Sequence, residues 1–161
     1  MNETILAIDI GNTSTSIGIF DGDILIDTFR ISSDIKKTSD EYGVLFLTIL
    51  NHKDIIKKIK GAIISSVVPQ LCETIKCAIL KYLKINAINL TYKSKMPINL
   101  CLENNKEIGA DRIANATAAK LKYSLPAIVI DFGTATTFDI VDKNSNFKGG
   151  IIAPGLEIQA K

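Results

Sequence analysis

The strongest constraint on this chain is an internal repeat, in which one strand–turn–strand pattern occurs twice. Residues 8–20 read Ile-Asp-Ile-Gly-Asn-Thr-Ser-Thr-Ser-Ile-Gly-Ile-Phe, and residues 130–140 read Ile-Asp-Phe-Gly-Thr-Ala-Thr-Thr-Phe-Asp-Ile. Each copy has an apolar strand that ends in Asp, one further residue, Gly, a Thr-rich turn and a second apolar strand. Two such copies predict two lobes related by duplication.

The elements around the first copy are predicted from turn signals and apolar periodicity. Strands over 4–10, 15–20 and 24–31 are separated by Gly-Asn and Asp-Gly, which are strong turn signals, so an antiparallel meander is expected to open the fold. The later predicted elements are a helix over 39–52, a strand over 61–67, a helix that starts at Pro69 with Leu71, Ile75, Ile79, Leu80 and Leu83 on one face, a strand over 86–90, and a helix from about Gly109 to Tyr123. This order is that of a ribonuclease-H-like α/β lobe.

The repeat also predicts a domain division. We expect residues 1–124 to form a complete N-terminal ribonuclease-H-like lobe and residues 125–161 to be the start of a second lobe. The second copy has its hairpin and a predicted third strand over 147–152, and its later elements would lie beyond Lys161. The expected fold is therefore one complete lobe and one incomplete lobe.

Composition argues against several partners. The net charge is +2, and the lysines are interleaved with acids, so neither a nucleic-acid nor an anionic-membrane partner is expected. No segment approaches the roughly 20 apolar residues that a membrane helix needs, and the first residues lack the basic start of a signal peptide. The three cysteines lack metal-type spacing, which favours reduced thiols and a cytoplasmic protein.

The two Asp-x-Gly turns are suited to phosphate. In each turn, Gly and a Thr within the next two residues offer backbone N–H groups and a hydroxyl without side-chain bulk, which a close-fitting phosphate cradle requires. The Asp before each turn can hold a metal ion beside those phosphates, usually through water. One such loop alone also fits an ordinary hairpin turn, whereas two in register predict nucleotide binding.

The duplicated pattern resembles the acetate and sugar kinase, Hsp70 and actin superfamily, in which ATP lies between two lobes. Within it, the chain resembles the type III pantothenate kinases through four strings in the family's order: Thr38-Ser39-Asp40-Glu41-Tyr42, Ser65-Ser66-Val67-Val68-Pro69, Gly109-Ala110-Asp111-Arg112, and Asp131-Phe132-Gly133-Thr134-Ala135-Thr136-Thr137. Gly149-Gly150 and Ala153-Pro154-Gly155 extend the likeness. The implied fold is the actin-type ATPase fold, and the implied activity is ATP-dependent phosphorylation of pantothenate to 4'-phosphopantothenate, the first step of coenzyme A biosynthesis.

The resemblance also implies roles for individual residues. The ATP contacts it implies are Asp9, Ile10, Gly11, Asn12, Thr13, Ser14, Thr15, Ser16 and Thr134. Asp111 would be the proton acceptor, which suits a carboxylate near the γ-phosphate, and Gly109, Ala110, Asp111 and Arg112 would contact pantothenate. Asp131 would bind a monovalent cation, K⁺ or NH₄⁺, while Mg²⁺ accompanies ATP. The family further implies a homodimer for the full-length form.

Several alternatives remain open at this stage. Asp111 and Arg112 also fit a helix N-cap and an exposed Arg, and the stretch Ser65–Pro69 fits either a pocket wall or a plain strand end before a helix. The family usually carries a tyrosine and a proline where this chain has Leu102 and Asn105. A kinase for another small hydroxyl acceptor and a nucleotide-binding regulator without turnover are the competing functions.

Overall fold

A computed structural model describes residues 3–52 and 55–155 of the chain. The chain forms two compact units, Met1–Asn89 and Leu90–Lys161, which we call the N-terminal and C-terminal units. The sequence-based boundary between residues 124 and 125 lies inside the C-terminal unit, because the helix before it packs on the strands after it. As the limit of a duplicated lobe, that boundary stays a prediction.

In the described part of the N-terminal unit, a mixed five-stranded sheet packs with two α-helices. Its elements are β1 (Thr4–Ile10), β2 (Ser14–Asp21), β3 (Ile24–Ser32), α1 (Ser39–His52), β4 (Ile59–Ser66), α2 (Pro69–Ala78) and β5 (Ala87–Asn89). The sheet order is β3-β2-β1-β4-β5, in which β1, β2 and β3 are antiparallel and β4 runs parallel to β1. The predicted meander and the order of the later elements are confirmed.

Alternation along the strands places the core of the N-terminal unit on one face of its sheet. Leu6, Ile8 and Ile10 of β1 and Ile17 and Ile19 of β2 are buried, as the period of two requires. Their helical neighbours in this core include Tyr42, Phe46, Leu50, Leu71 and Ile75. Helix α1 begins at a capping box, since the Glu41 backbone N–H donates to Thr38 Oγ1 at 3.3 Å and the Thr38 N–H donates to Glu41 Oε2 at 2.8 Å.

Helix α2 does not continue as a regular α-helix. Residues Ile79–Leu83 form a π-helical turn that ends at Lys84, whose φ of 61° is left-handed. Ile79 is fully buried, whereas Leu80 is 50% exposed. The prediction that Leu80 shares the buried face was therefore wrong, because at 3.6 residues per turn Leu80 lies about 180° from Leu71 around the helix axis.

Up to Gly155, where the described residues end, the C-terminal unit has a four-stranded sheet with one α-helix. Its elements are β6 (Asn99–Leu100), α3 (Ala110–Lys122), β7 (Ala127–Phe132), β8 (Ala135–Val141) and β9 (Asn146–Pro154), in the sheet order β6-β9-β8-β7. The second hairpin and the third strand after it are confirmed. The two-residue strand β6, which pairs parallel to β9, was not predicted.

The two faces of this second sheet differ in how far other parts of the chain cover them. Helix α3 lies on the face that carries Asp131 and Asp139, and it contributes the buried Ile113 and Ala116. On the opposite face the apolar side chains are largely exposed: Ile128 66%, Ile130 47%, Phe132 67%, Ile140 46% and Ile151 66%. Among the described residues, no helix is long and apolar enough to cross a membrane.

Candidate functional site

The first Asp-x-Gly loop closes the β1–β2 hairpin. Asp9 is exposed, and it lies opposite Ser16 of β2 and beside Ser65 of β4. The Gly11 N–H donates to the Ser14 carbonyl at 3.0 Å, and a Cβ added at Gly11 would lie 3.2 Å from that same oxygen. The turn is thus tight enough to favour glycine.

The sequence-predicted ATP residues of this loop differ in accessibility. Asn12 and Thr13 are exposed, and Gly11, Ser14 and Ser16 are half-buried. Ile10 and Thr15 are fully buried, and Thr15 Oγ1 lies 2.9 Å from Ser33 Oγ. The exposed residues Asn12 and Thr13 fit contact with a phosphate chain, whereas the buried Ile10 and Thr15 hold the hairpin in place.

The second loop closes the β7–β8 hairpin in the same manner, one residue shorter. The Gly133 N–H donates to the Ala135 carbonyl at 3.0 Å, and Asp131 lies opposite Thr137. Gly155 packs directly on this loop: its N–H donates to the Thr134 carbonyl at 3.1 Å, and a Cβ there would lie 2.4 Å from the Gly133 and Thr134 oxygens. Thr134 is exposed at the tip, where a phosphate contact is sterically possible.

Helix α3 carries the Gly-Ala-Asp-Arg string in its first turn. Gly109 is the N-cap, so the alternative of an Asp N-cap does not hold. Asp111 is half-buried, and its Oδ1 accepts the Arg112 backbone N–H at 2.8 Å, which leaves Oδ2 outside that bond. The positive end of the helix dipole lies at this turn, where it favours anionic groups.

Arg112 does not extend into solvent, so the alternative of an exposed Arg is also wrong. Its Nε donates to Asp139 Oδ1 at 2.9 Å and Oδ2 at 3.1 Å, and its Nη2 also donates to Asp139 Oδ1. The side chains are 13% and 1% exposed, and the guanidinium carbon lies 5.6 Å from the Phe147 ring centroid. Removing one member of such a buried pair costs about 3–5 kcal/mol, because the other charge is left uncompensated.

Asp131, the predicted cation ligand, is held from the same helix. Asn115, one turn after Arg112, donates from Nδ2 to Asp131 Oδ2 at 2.8 Å. A half-buried carboxylate beside an amide offers oxygen ligands, which fit a hard cation such as K⁺ or Mg²⁺. No group of three or more His, Cys, Asp or Glu side chains gathers within residues 3–52 and 55–155, so phosphate or water oxygens would have to complete such a shell.

The segment before α3 is braced by the side chain of Asn105. Asn105 Oδ1 accepts the Leu102 backbone N–H, and Asn105 Nδ2 donates to the Leu100 carbonyl, each at 3.2 Å. Leu102 packs on Gly149, whose left-handed φ of 82° favours glycine. Asn105 therefore fixes a turn with side-chain hydrogen bonds.

The Ser65–Pro69 stretch ends a strand and starts a helix. The Ser66 hydroxyl bonds with both the N–H and the carbonyl of Val68, and Pro69 is the first residue of α2. The Val67 N–H donates to the Ile10 carbonyl at 3.1 Å, which ties this corner to the first loop. The strand-end interpretation holds, while a role as pocket wall stays a prediction.

Asp139 and Asn115 are the residues that sequence reasoning missed. Asp139 stands in the second repeat between Phe138 and Ile140, with the same parity as the buried Val141. A carboxylate at an inward position of a strand needs a charge partner, and that rule points to a nearby Arg. Asn115 follows Arg112 by three residues, which puts both on one face of a helix.

Solved structures with a similar backbone share little sequence with this chain. A reductive activator for a corrinoid, iron-sulfur protein aligns with a TM-score of 0.56 at 15% identity, over 89% of this chain and 30% of that one. The ethanolamine utilization protein EutJ of Carboxydothermus hydrogenoformans gives 0.53 at 14%, over 93% and 51%. The activator of the 2-hydroxyisocaproyl-CoA dehydratase from Clostridium difficile, solved with bound ADPNP, gives 0.53 at 13%, over 94% and 46%. These likenesses confirm the predicted α/β fold of the actin-type ATPases.

Sequence comparison is more specific. The type III pantothenate kinase of Agathobacter rectalis is 46% identical over 98% of this chain and 61% of its own length, and that of Finegoldia magna is 46% identical over 100% and 62%. The chain thus spans somewhat over three-fifths of the length of these relatives. The family model described as type III pantothenate kinase matches residues 5–161. The chain belongs to the type III pantothenate kinase family.

Proposed function

We propose that the protein phosphorylates pantothenate with ATP; its relatives are named type III pantothenate kinases. The observation that carries this proposal is the match of the family model over residues 5–161, which includes both phosphate-type loops and the Gly-Ala-Asp-Arg turn of α3. The product would be 4'-phosphopantothenate. Mg²⁺ with ATP and a monovalent cation, K⁺ or NH₄⁺, would be required.

The proposed reaction is an in-line transfer. The primary hydroxyl oxygen of pantothenate attacks the γ-phosphorus, the bond from that phosphorus to the β–γ bridging oxygen breaks, and ADP leaves with that oxygen. Asp111 accepts the hydroxyl proton. Its Oδ1 accepts the Arg112 backbone N–H, so Oδ2 is the oxygen that would take the proton. Bound Mg²⁺ and K⁺ would neutralise charge on the phosphates.

We assign the binding roles as follows. Residues Asp9–Ser16 and Thr134 contact ATP, and Asp9, Asn12, Thr13 and Thr134 are the exposed ones among them. Asp131 binds the monovalent cation with Asn115 beside it. Gly109–Arg112 binds pantothenate, whose carboxylate suits the positive helix end and the guanidinium.

We further propose that the full-length protein is a cytoplasmic homodimer that acts on small molecules without a nucleic-acid or membrane partner. The scattered charge of net +2 supports this setting. The homodimer rests on the family likeness.

A coupled ADP-release assay tests the proposal. Pantothenate, MgATP and either K⁺ or Na⁺ are supplied to this chain and to a full-length form continued to the length of its relatives. We expect pantothenate-dependent ADP release by the full-length form, faster with K⁺. Release that is independent of pantothenate would favour another acceptor, and nucleotide binding without any release would favour a regulator that lacks turnover.

A further inference from the structure

The pairing of Arg112 and Asp139 bears on how the proposed pantothenate site is built. An arginine carries five N–H donors around a planar group. Asp139 engages only the edge formed by Nε and Nη2. The edge formed by Nη1 and the second Nη2 hydrogen is outside this pair, and it has the geometry to receive a second carboxylate.

Asp139 is itself rigidly placed. It lies in β8, which is flanked on both sides by β7 and β9, and its sheet neighbours in register are Val129 and Gly150. Its side chain is 1% exposed. At Gly150 an added Cβ would lie 2.9 Å from the Asp139 Cα and 1.7 Å from the Phe138 carbonyl oxygen, so the strands approach closely here. The carboxylate therefore has little freedom to move with Arg112.

The guanidinium is also constrained by an aromatic ring. The Arg112 Cζ lies 5.6 Å from the Phe147 ring centroid, and Phe147 is fully buried. A carboxylate at one edge and a ring nearby restrict both the direction and the rotation of the group. An arginine pre-organised in this way loses less conformational entropy when it binds a ligand.

We propose that Asp139 is a positioning residue for substrate recognition, which holds Arg112 so that its second edge receives the carboxylate of pantothenate. This inference rests on the proposed function, because it takes that acceptor as the substrate. Asp139 touches no reacting atom, so it acts through Arg112 on acceptor binding and leaves phosphoryl transfer itself unchanged.

The test compares two acceptors on the full-length form. Pantothenol has an alcohol in place of the carboxylate of pantothenate and keeps the hydroxyl that would be phosphorylated. For D139N we expect KM for pantothenate to rise about 10- to 100-fold, the range of one charged hydrogen bond, with kcat changed less than about 3-fold. With pantothenol, D139N and wild type should have similar kcat/KM.

Two further variants separate this role from plain structural support. D139E keeps the charge but moves the carboxylate by one methylene, so its loss should be smaller than that of D139N and still selective for pantothenate. I113A empties a fully buried position on the same helix and serves as a control for destabilisation. Its melting temperature should fall without acceptor selectivity.

The outcomes distinguish this inference from the proposed function. If the wild type is active and D139N and D139E lose kcat/KM equally for both acceptors, the positioning role is overturned and the kinase assignment stays intact. If D139N does not fold, the acceptor ratio in D139E decides by the same criterion. A wild-type protein that phosphorylates neither acceptor would overturn the proposed function, and with it this inference.

Discussion

The two Asp-x-Gly hairpins share a backbone plan but differ in what lies behind them. In each, the Asp is opposite a hydroxyl residue: Asp9 faces Ser16, and Asp131 faces Thr137. The hairpin in the N-terminal unit packs on its helices through apolar side chains, and α3 in the C-terminal unit meets its sheet through Arg112–Asp139 and Asn115–Asp131.

This difference bears on which part of the repeat carries the proposed chemistry. Apolar packing supplies stability without fixing directions, whereas a buried ion pair and a side-chain amide bond fix the orientation of the side chains that form them. Helix α3 carries the proposed base and substrate contacts, and it is the one docked by polar pairs. The repeated motif thus determines the conformation of the two loops. The polar contacts between α3 and its sheet distinguish the C-terminal unit.

The largest expected effect tests whether the chemistry belongs to the C-terminal unit. In the full-length form, D111N should lower kcat about 100- to 10,000-fold, the usual contribution of a general base, with ATP affinity unchanged. The matched change in the first hairpin, D9N, should act mainly on KM for ATP. Steady-state kinetics and nucleotide titration measure both, and normal turnover by D111N would refute the assignment of the base.

A second prediction compares glycines around the second loop. G155A places a Cβ 2.4 Å from two backbone oxygens, so it should destabilise the C-terminal unit by about 1–3 kcal/mol. G133A is the control, since its Cβ would lie 3.4 Å from the Ala135 oxygen, an ordinary contact. Chemical denaturation measures the free energy of unfolding of both variants. Equal stability would show that the close packing of Gly155 on the loop does not contribute to stability.

A third prediction concerns the hairpin of the N-terminal unit. T15V keeps the shape of a fully buried side chain and removes the hydroxyl that lies 2.9 Å from Ser33 Oγ. We expect a loss of about 0.5–1.5 kcal/mol, the net worth of one hydrogen bond. A double-mutant cycle with S33A should show that the two losses are not additive. Full additivity would mean that the hydroxyls do not interact.

The smallest expected effect is a pH dependence at the β8–β9 turn. The backbone N–H of Asn146 lowers the pKa of Asp142, and the Asn146 side chain and the Asn144 N–H act in the same direction. Because the folded pKa lies below the ordinary aspartate value of about 3.9, this stabilisation is present above that value and is lost as pH falls through the folded pKa. The difference in melting temperature between wild type and D142N should therefore shrink below about pH 4, and a constant difference would contradict the assignment.

Much of the fold could be predicted from local pattern. The meander, the capping box at Thr38 and the start of α2 at Pro69 follow from turn and cap chemistry that acts over a few residues. The strand β6 could not be predicted, because two residues carry no periodicity and their partner in β9 is 47 positions away at Asn146. The π-helical turn at Ile79–Leu83 could not be predicted either, since nothing in its composition distinguishes it from an α-helix.

By itself, the sequence determined the two Asp-x-Gly loops, the helix that begins after Gly109 and the family to which the chain belongs, because these depend on residues that are adjacent in the chain. Only the tertiary structure decided that Arg112 pairs with Asp139 and Asn115 with Asp131. Those partners are 27 and 16 residues apart, and they meet only when α3 docks on the sheet. Buried charges must find partners wherever the fold brings them together, and spacing along the chain does not encode that meeting.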